Sequence, residues 1–136
     1  MNSRTISVPV NSPAADVYRY ASNPANLPQW IRSFCLSVRH TDEGWIMQTT
    51  TGPLGIRFVP QNDFGVLDHE VTLPDGQTIY NPMRVVSNGA GSEVMFTLFQ
   101  IAGMTEEQFA RDADMVAADL RTLKDVMEGG PERDRK

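Results

Sequence analysis

Hydrophobic and polar residues alternate along most of the chain between residues 34 and 101, as they do in β-strands that bury one face. Short segments such as LPDGQ and SNGAG, which have the composition of tight turns, separate the alternating segments. The segment TISVPV near the N-terminus alternates in the same way. Together these patterns predict seven strands joined mostly by short turns, and therefore an antiparallel sheet.

Two short helices are predicted directly after the first strand. In NSPAADVYRYA, Ser12 is suited to the N-cap and Pro13 to the first helical position. In NPANLPQW, Asn23 and Pro24 repeat the same signal. Two short helices should therefore interrupt the chain between the first and second strands.

A long C-terminal helix is the clearest prediction. Thr105 and Gln108 have the spacing of a capping box, and Gly129 and Gly130 are typical of a helix end. About 23 residues at 1.5 Å per residue give a rod of roughly 34 Å. Its apolar residues recur at helical spacing: Phe109, Ala113, Val116, Leu120, Leu123 and Met127. This stripe can be buried only against the sheet.

The chain length and composition indicate one globular domain. The 136 residues are 40% hydrophobic and 21% charged, which is ordinary for a domain with its own core. We expect a single domain over residues 1–128 and a flexible polar tail over residues 129–136.

The charge and the single cysteine narrow the class of partner and the compartment. A net charge of -5 argues against nucleic acid or an anionic membrane as partner. No segment reaches the roughly 18 apolar residues of a membrane span, and the N-terminus does not have the pattern of a secretory signal. Cys35 cannot form an internal disulfide, so we expect a cytoplasmic protein with a structural thiol.

The order of the predicted elements resembles that of the START/polyketide-cyclase (SRPBCC) helix-grip superfamily. The resemblance covers the whole chain and is carried by TISVPVNSPAADVYRYASNPANLPQW and by GSEVMFTLFQ together with MTEEQFARDADMVAADLRTLKDVME. It implies an α+β fold in which a curved seven-stranded antiparallel sheet wraps around the long C-terminal helix, with a cavity between them. Members bind lipids, sterols, polyketides or other apolar molecules, and some cyclise or dehydrate them. The resemblance supplies no catalytic triad.

A cavity is also expected on physical grounds, because a curved sheet and a straight helix touch along only part of their length. Large side chains or a ligand must fill the remaining space. The predicted ligand-binding residues are Trp30, Phe58, His69, Met83, Phe96, Phe109 and Val116. No cofactor is expected, and the two histidines do not have the spacing of metal ligands.

His69 is the one polar residue on the apolar face of the segment FGVLDHEVTL, between Leu67 and Val71. It could orient a ligand carbonyl or phenol, or move a proton near neutral pH. Alternatively, it is a core histidine bonded to a backbone carbonyl or to a strand neighbour. Asp68 and Glu70 point to the opposite face, so neither can be its partner on that strand.

The segment TIYNPMRVV leaves open which of its side chains point outward and which point into the cavity. We expect Arg84 and Tyr80 to point outward and Arg84 to pair with Asp68 or Glu70 on the neighbouring strand. The reverse register would bring Arg84 and Tyr80 into the cavity and favour an acidic or phenolic ligand. Pro82 inside the segment indicates an edge or bulged position.

Three functional hypotheses follow. The first is a module that binds a small apolar molecule without transforming it. The second is a polyketide cyclase or dehydratase with His69 as general acid/base, which would require more than one convergent polar group. The third is a homodimer formed through the sheet face that carries Met95 and Phe99. We favour the first.

Overall fold

The computed structural model describes residues 1–129, which form an α+β fold with eight strands and three α-helices. The strands are β1 (Ser3–Val10), β2 (Cys35–Thr41), β3 (Gly44–Thr49), β4 (Gly52–Phe58), β5 (His69–Thr72), β6 (Thr78–Asn81), β7 (Met83–Asn88) and β8 (Gly91–Phe99). The helices are α1 (Ala14–Ala21), α2 (Leu27–Trp30) and α3 (Glu106–Met127), and a 3-10 turn, Pro24–Asn26, precedes α2.

The strands form two antiparallel sheets, with the orders β1-β8-β7 and β2-β3-β4-β5-β6. The prediction of one seven-stranded sheet is therefore wrong. Pro82 is the reason: it has no backbone N–H, and it divides the predicted strand TIYNPMRVV into β6 and β7. The first part pairs with β5 and the second with β8.

The two sheets meet beside Pro82, through the residues that precede β5. Leu67 N donates a hydrogen bond to Met83 O at 2.8 Å, and Val85 N donates one to Gly65 O at 2.9 Å. Gly65 has φ 71°, and a Cβ atom there would lie 2.1 Å from Val85 O, so only glycine permits this approach. The segment FGVLDHEVTL consequently forms a regular strand only in its second half.

The two short helices form where they were predicted, although the first begins later. Helix α1 starts at Ala14 with Pro13 at the N-cap, and Ser12 makes no capping hydrogen bond to it. The side chain of Asn23 accepts a hydrogen bond from Ala25 N at 3.1 Å, which confirms the predicted cap.

Helix α3 has the predicted capping box. Thr105 Oγ1 accepts from Gln108 N at 3.1 Å, and Gln108 Oε1 accepts from Thr105 N at 3.0 Å. Gly129 follows the helix with φ 90°, the left-handed conformation expected of a terminating glycine. The predicted polar tail lies outside the described residues from Gly130 onward.

The core lies between α3 and the three-stranded sheet. Helix α3 packs against β1, β8 and α2, and its backbone comes close to few residues of the five-stranded sheet. The buried side chains of this core include Val8, Val10, Met83, Val85, Val94, Phe96, Leu98, Phe109, Ala113, Leu120 and Leu123. No helix within residues 1–129 is long and apolar enough to cross a bilayer.

Candidate functional site

The inner face of the five-stranded sheet is apolar but only partly covered. Strand register places a row of large side chains on this face, and several of them pack against the core while staying half-buried. We call this surface the open inner face, and its half-buried members are Trp45, Leu54, Phe58, Val71 and Ile79. Met47 and Ile56 on the same face are buried.

Three of the predicted site residues are in contact at the end of this face. The ring of His69 lies 5.0 Å from that of Phe58, measured between centroids, and 5.7 Å from that of Phe96. Met83 is the cross-strand partner of Phe96 and is 1% exposed. These four residues therefore join the open inner face to the core of the three-stranded sheet.

The other three predicted residues belong to helices. Trp30 in α2 and Phe109 in α3 are buried, and Val116 in α3 is half-buried. The indole N–H of Trp30 is fully occluded and has no hydrogen-bond partner among the described residues. The role of all seven residues in ligand binding stays a prediction.

The hydrogen bonds of His69 define its chemical state. Its Nδ1 lies 3.0 Å from Leu67 O, and because a carbonyl only accepts, Nδ1 must carry the hydrogen. Burial lowers the pKa of His69, and the bond to Leu67 O only partly opposes this effect. The ring is therefore neutral at pH 7, with a lone pair on Nε2. The contact is that of a core histidine bonded to a backbone carbonyl, one of the two predicted interpretations.

Asn81 stands beside His69 on the same face. It is the cross-strand partner of His69 in β6, just as Phe58 is its partner in β4. Asn81 is half-buried, and no other residue in 1–129 forms a hydrogen bond with its side-chain amide. Sequence reasoning did not select Asn81, although its position on the apolar face of TIYNPMRVV is the same signal that drew attention to His69.

Arg84 and Tyr80 point to the outer face, as predicted. The guanidinium of Arg84 donates two hydrogen bonds to the Asp68 carboxylate, at 3.0 and 2.9 Å, and Tyr80 Oη and Met83 N donate to the same group. Burial alone would raise the pKa of Asp68, but these bonds lower it to about 2. Glu70 pairs with Arg57 instead, at 3.6 Å. Of the two partners predicted for Arg84, Asp68 and Glu70, the structure shows Asp68.

A second buried carboxylate, Asp119, was not predicted. It lies beside the apolar stripe of α3 and accepts hydrogen bonds from Ser33 N at 3.1 Å and Ser33 Oγ at 2.6 Å. Burial raises the pKa of Asp119, since these bonds offset the loss of hydration only in part. Burial and the charge of Asp119 also raise the pKa of Cys35, so this free cysteine is a poor nucleophile.

The other surfaces of the described residues carry hollows but no metal-binding cluster. Within residues 1–129, no group of three or more His, Cys, Asp or Glu side chains is placed to hold a metal ion. Three surface hollows of about 520, 450 and 750 Å³ lie beside α1, at the start of α3 and beside the segment 61–65. None of these three is lined by the predicted site residues, so the open inner face stays the candidate site.

The fold is similar to that of several solved structures. XoxI from Bacillus cereus superposes with a TM-score of 0.74 at 16% identity, over 93% of this chain and 96% of XoxI. The Aha1 dimer from Colwellia psychrerythraea gives a TM-score of 0.67 at 14% identity, over 96% of this chain and 99% of that chain. BexL, a di-domain ARO/CYC protein of the BE-7585A biosynthetic pathway, gives 0.69 at 19% identity over 91% of this chain and 45% of BexL.

These likenesses identify the fold. The chain has the helix-grip fold of SRPBCC-type proteins, which confirms the resemblance inferred from the sequence. No protein-family profile matches the chain. No curated protein matches it in sequence.

Proposed function

We propose that the protein binds a small apolar molecule against the open inner face, between the five-stranded sheet and α3. The observation that supports this proposal most directly is the half-buried state of Trp45, Leu54, Phe58 and Val71 on a face that points toward the core. Apolar surface left in contact with water costs about 25 cal/mol per Å² relative to burial. A ligand that covers these side chains recovers this free energy.

The polarity of the face suits such a ligand. His69 and Asn81 are neutral polar groups set among aliphatic and aromatic side chains. Ligand sites in proteins commonly have this composition, in which apolar walls provide affinity and a few polar groups fix orientation.

Titration with Nile red, a neutral apolar dye, tests the proposal. We expect saturable binding that falls at least about tenfold in Leu54→Asn, because the substitution brings an amide into the apolar face. Ile46 supplies the control: it is also half-buried, but it lies on the outer face of β3, opposite Gly55. Ile46→Asn should leave the affinity unchanged. Equal losses in both variants, or no saturable binding, would contradict the proposal.

Native mass spectrometry of the purified protein provides a second readout. A small molecule that co-purifies with the wild-type protein, and is lost from Leu54→Asn, would name the chemical class of the ligand. Retention of the same molecule by Leu54→Asn would place its site elsewhere.

The alternative is a cyclase or dehydratase in which His69 acts as general acid/base. The lone pair on His69 Nε2 favours this alternative, because it could accept a proton. General acid/base chemistry of this kind needs a second convergent group, and Asp68 and Glu70 are engaged by arginines on the outer face. His69→Ala separates the two functions: a binding protein loses part of its affinity, whereas an enzyme loses nearly all turnover.

Two further predictions accompany this function. A cytoplasmic location is favoured by the single free cysteine. A homodimer is favoured by Met95 and Phe99, which lie half-buried on the outer face of β8. Sedimentation equilibrium of the wild-type protein and of Met95→Lys tests the dimer.

A further inference from the structure

We infer that His69 and Asn81 together recognise a hydroxyl group, so that the site prefers neutral alcohols or phenols to pure hydrocarbons and to carboxylates. The inference rests on the proposed function and names the class of ligand. It combines the geometry of one histidine, the position of its cross-strand neighbour and the distribution of charge around the open inner face.

The hydrogen bond from His69 to Leu67 O decides what its other nitrogen can do. With the hydrogen on Nδ1, Nε2 is an acceptor and can bind only a donor. A ligand carbonyl would require the other tautomer and would break the bond to Leu67 O. The sequence left a carbonyl and a phenol as equal alternatives, and this contact selects the phenol or another O–H donor.

The surroundings of the ring leave Nε2 available. Phe58 and Phe96 both contact the imidazole, one tilted at 41° and the other at 61°, and they limit its rotation. No residue in the described part of the chain hydrogen-bonds to Nε2. His69 as a whole is 5% exposed, so these neighbours do not enclose the ring completely.

Asn81 supplies the complementary group. Directly opposed side chains in an antiparallel pair have Cβ atoms about 5 Å apart, so one oxygen atom can bond to both His69 and Asn81. A hydroxyl donates its hydrogen to Nε2 and accepts one from the Asn81 amide with the same oxygen. A carbonyl cannot do this, because it has no hydrogen to donate.

The charges around the face disfavour anions. The arginines of strands β2, β4 and β7 all point outward: Arg39 is opposite Ile46, Arg57 pairs with Glu70, and Arg84 pairs with Asp68. Asp119 of α3 is buried beside Ser33, two residues before β2. A ligand carboxylate would meet no Lys or Arg side chain of β2 to β6 on the inner face.

Three two-ring probes test the inference on the wild-type protein at pH 7.5: naphthalene, 2-naphthol and 2-naphthoate. We expect 2-naphthol to bind about fivefold to tenfold more tightly than naphthalene, the gain typical of one satisfied hydrogen bond. We expect 2-naphthoate to bind more weakly than naphthalene. His69→Phe and Asn81→Leu should each reduce the preference for 2-naphthol.

Asn88→Leu is the matched control for Asn81→Leu. Asn88 is exposed at the end of β7, in the other sheet and opposite Gly91. This variant should keep the full preference for 2-naphthol. A merely structural role for His69 would change the affinities for naphthalene and 2-naphthol equally, whereas recognition changes their ratio.

A measurement on the unmodified protein removes any dependence on the folding of His69→Phe. Side-chain ¹⁵N NMR of His69 should show a protonated Nδ1 and a bare Nε2, and 2-naphthol should shift the Nε2 resonance more than naphthalene does. Equal affinities for these two probes, or an unshifted Nε2, would overturn the inference and leave the proposed function intact. Nile red binding without any response to 2-naphthol would also overturn it. Failure of Nile red and of all three probes would instead refute the proposed function.

Discussion

The two sheets of this protein differ in how completely their inner faces are covered. Beneath α3, the inner residues of the three-stranded sheet, such as Val85, Val94 and Leu98, are buried. On the five-stranded sheet, Trp45, Leu54 and Phe58 reach the same interior but stay half-buried. Most of the close packing therefore lies in one half of the molecule, while the other half keeps apolar surface partly uncovered.

The position of α3 explains this difference. The C-terminal end of the helix is bound to the end of β1, where Lys124 Nζ donates to Pro9 O at 3.0 Å and Glu128 Oε2 accepts from Asn11 N at 2.8 Å. Helix α3 lies along β1 and β8, and its backbone comes close to few residues of the five-stranded sheet. The inner face of the five-stranded sheet is therefore left partly open.

Truncating one leucine in each half gives the largest expected effect. Leu120→Ala in α3 should lower the free energy of unfolding by about 3 kcal/mol, because the side chain is 1% exposed and leaves a cavity. Leu54→Ala on the open inner face should lower it by only about 1 kcal/mol, because water already reaches this side chain. Urea denaturation measures both values. Equal losses would show that the two halves are packed alike.

Substituting Asp68, which bonds to Tyr80 in β6 and to Met83 and Arg84 in β7, should cause the next largest loss of stability. Three of the four partner groups of Asp68, namely Met83 N and two nitrogens of Arg84, can only donate, so Asp68→Asn places its amide N–H₂ against at least one donor. The lowered pKa corresponds to about 2 kcal/mol of stability at pH 7, which this variant should lose. Glu70→Gln is the control, because its ion pair with Arg57 is exposed and is worth less than about 1 kcal/mol.

The same variant should change the response to acid. The folded-state pKa of Asp68, about 2, lies below its ordinary value of 3.8, so its contribution is present above about pH 4 and is lost as the pH falls toward 2. The stabilities of the wild type and Asp68→Asn should therefore converge near pH 2. His69 has a lowered pKa as well, so both proteins should lose stability as the pH falls below 6.5. Curves that stay parallel down to pH 2 would contradict the assigned role of Asp68.

Substituting Asp119, the other buried carboxylate, should change the free energy of unfolding least. Ser33 Oγ can either donate or accept, so Asp119→Asn keeps both contacts to Ser33 and removes a buried charge that forms no ion pair within residues 1–129. We expect the free energy of unfolding to change by less than about 1 kcal/mol at pH 7. Because the pKa of Asp119 is raised, the wild type should gain relative to this variant as the pH falls from 7 toward 4. Chemical denaturation at pH 7 and pH 5 tests the direction.

Features that depend on local backbone geometry were predicted from the sequence, whereas features that depend on distant partners were not. Alternation predicted that His69 lies on the inner face and Arg84 on the outer face. Helical spacing and the capping box of Thr105 and Gln108 predicted α3. Both signals depend on local backbone geometry. Pro82 was noticed as an irregularity, but the resulting division into two sheets depends on which neighbour each half of the strand finds. Asp119 was missed because its partner, Ser33, is 86 residues away.

Local sequence patterns specify the order of the elements and the faces of the strands, and through these the resemblance to the helix-grip fold, since periodicity and capping act over a few residues. Three features follow from contacts in the folded chain: α3 covers one sheet and leaves the other partly open, Asp68 joins the two sheets, and His69 carries its hydrogen on Nδ1. Each of these depends on groups distant in the chain or on the direction of a single hydrogen bond, which no local pattern records.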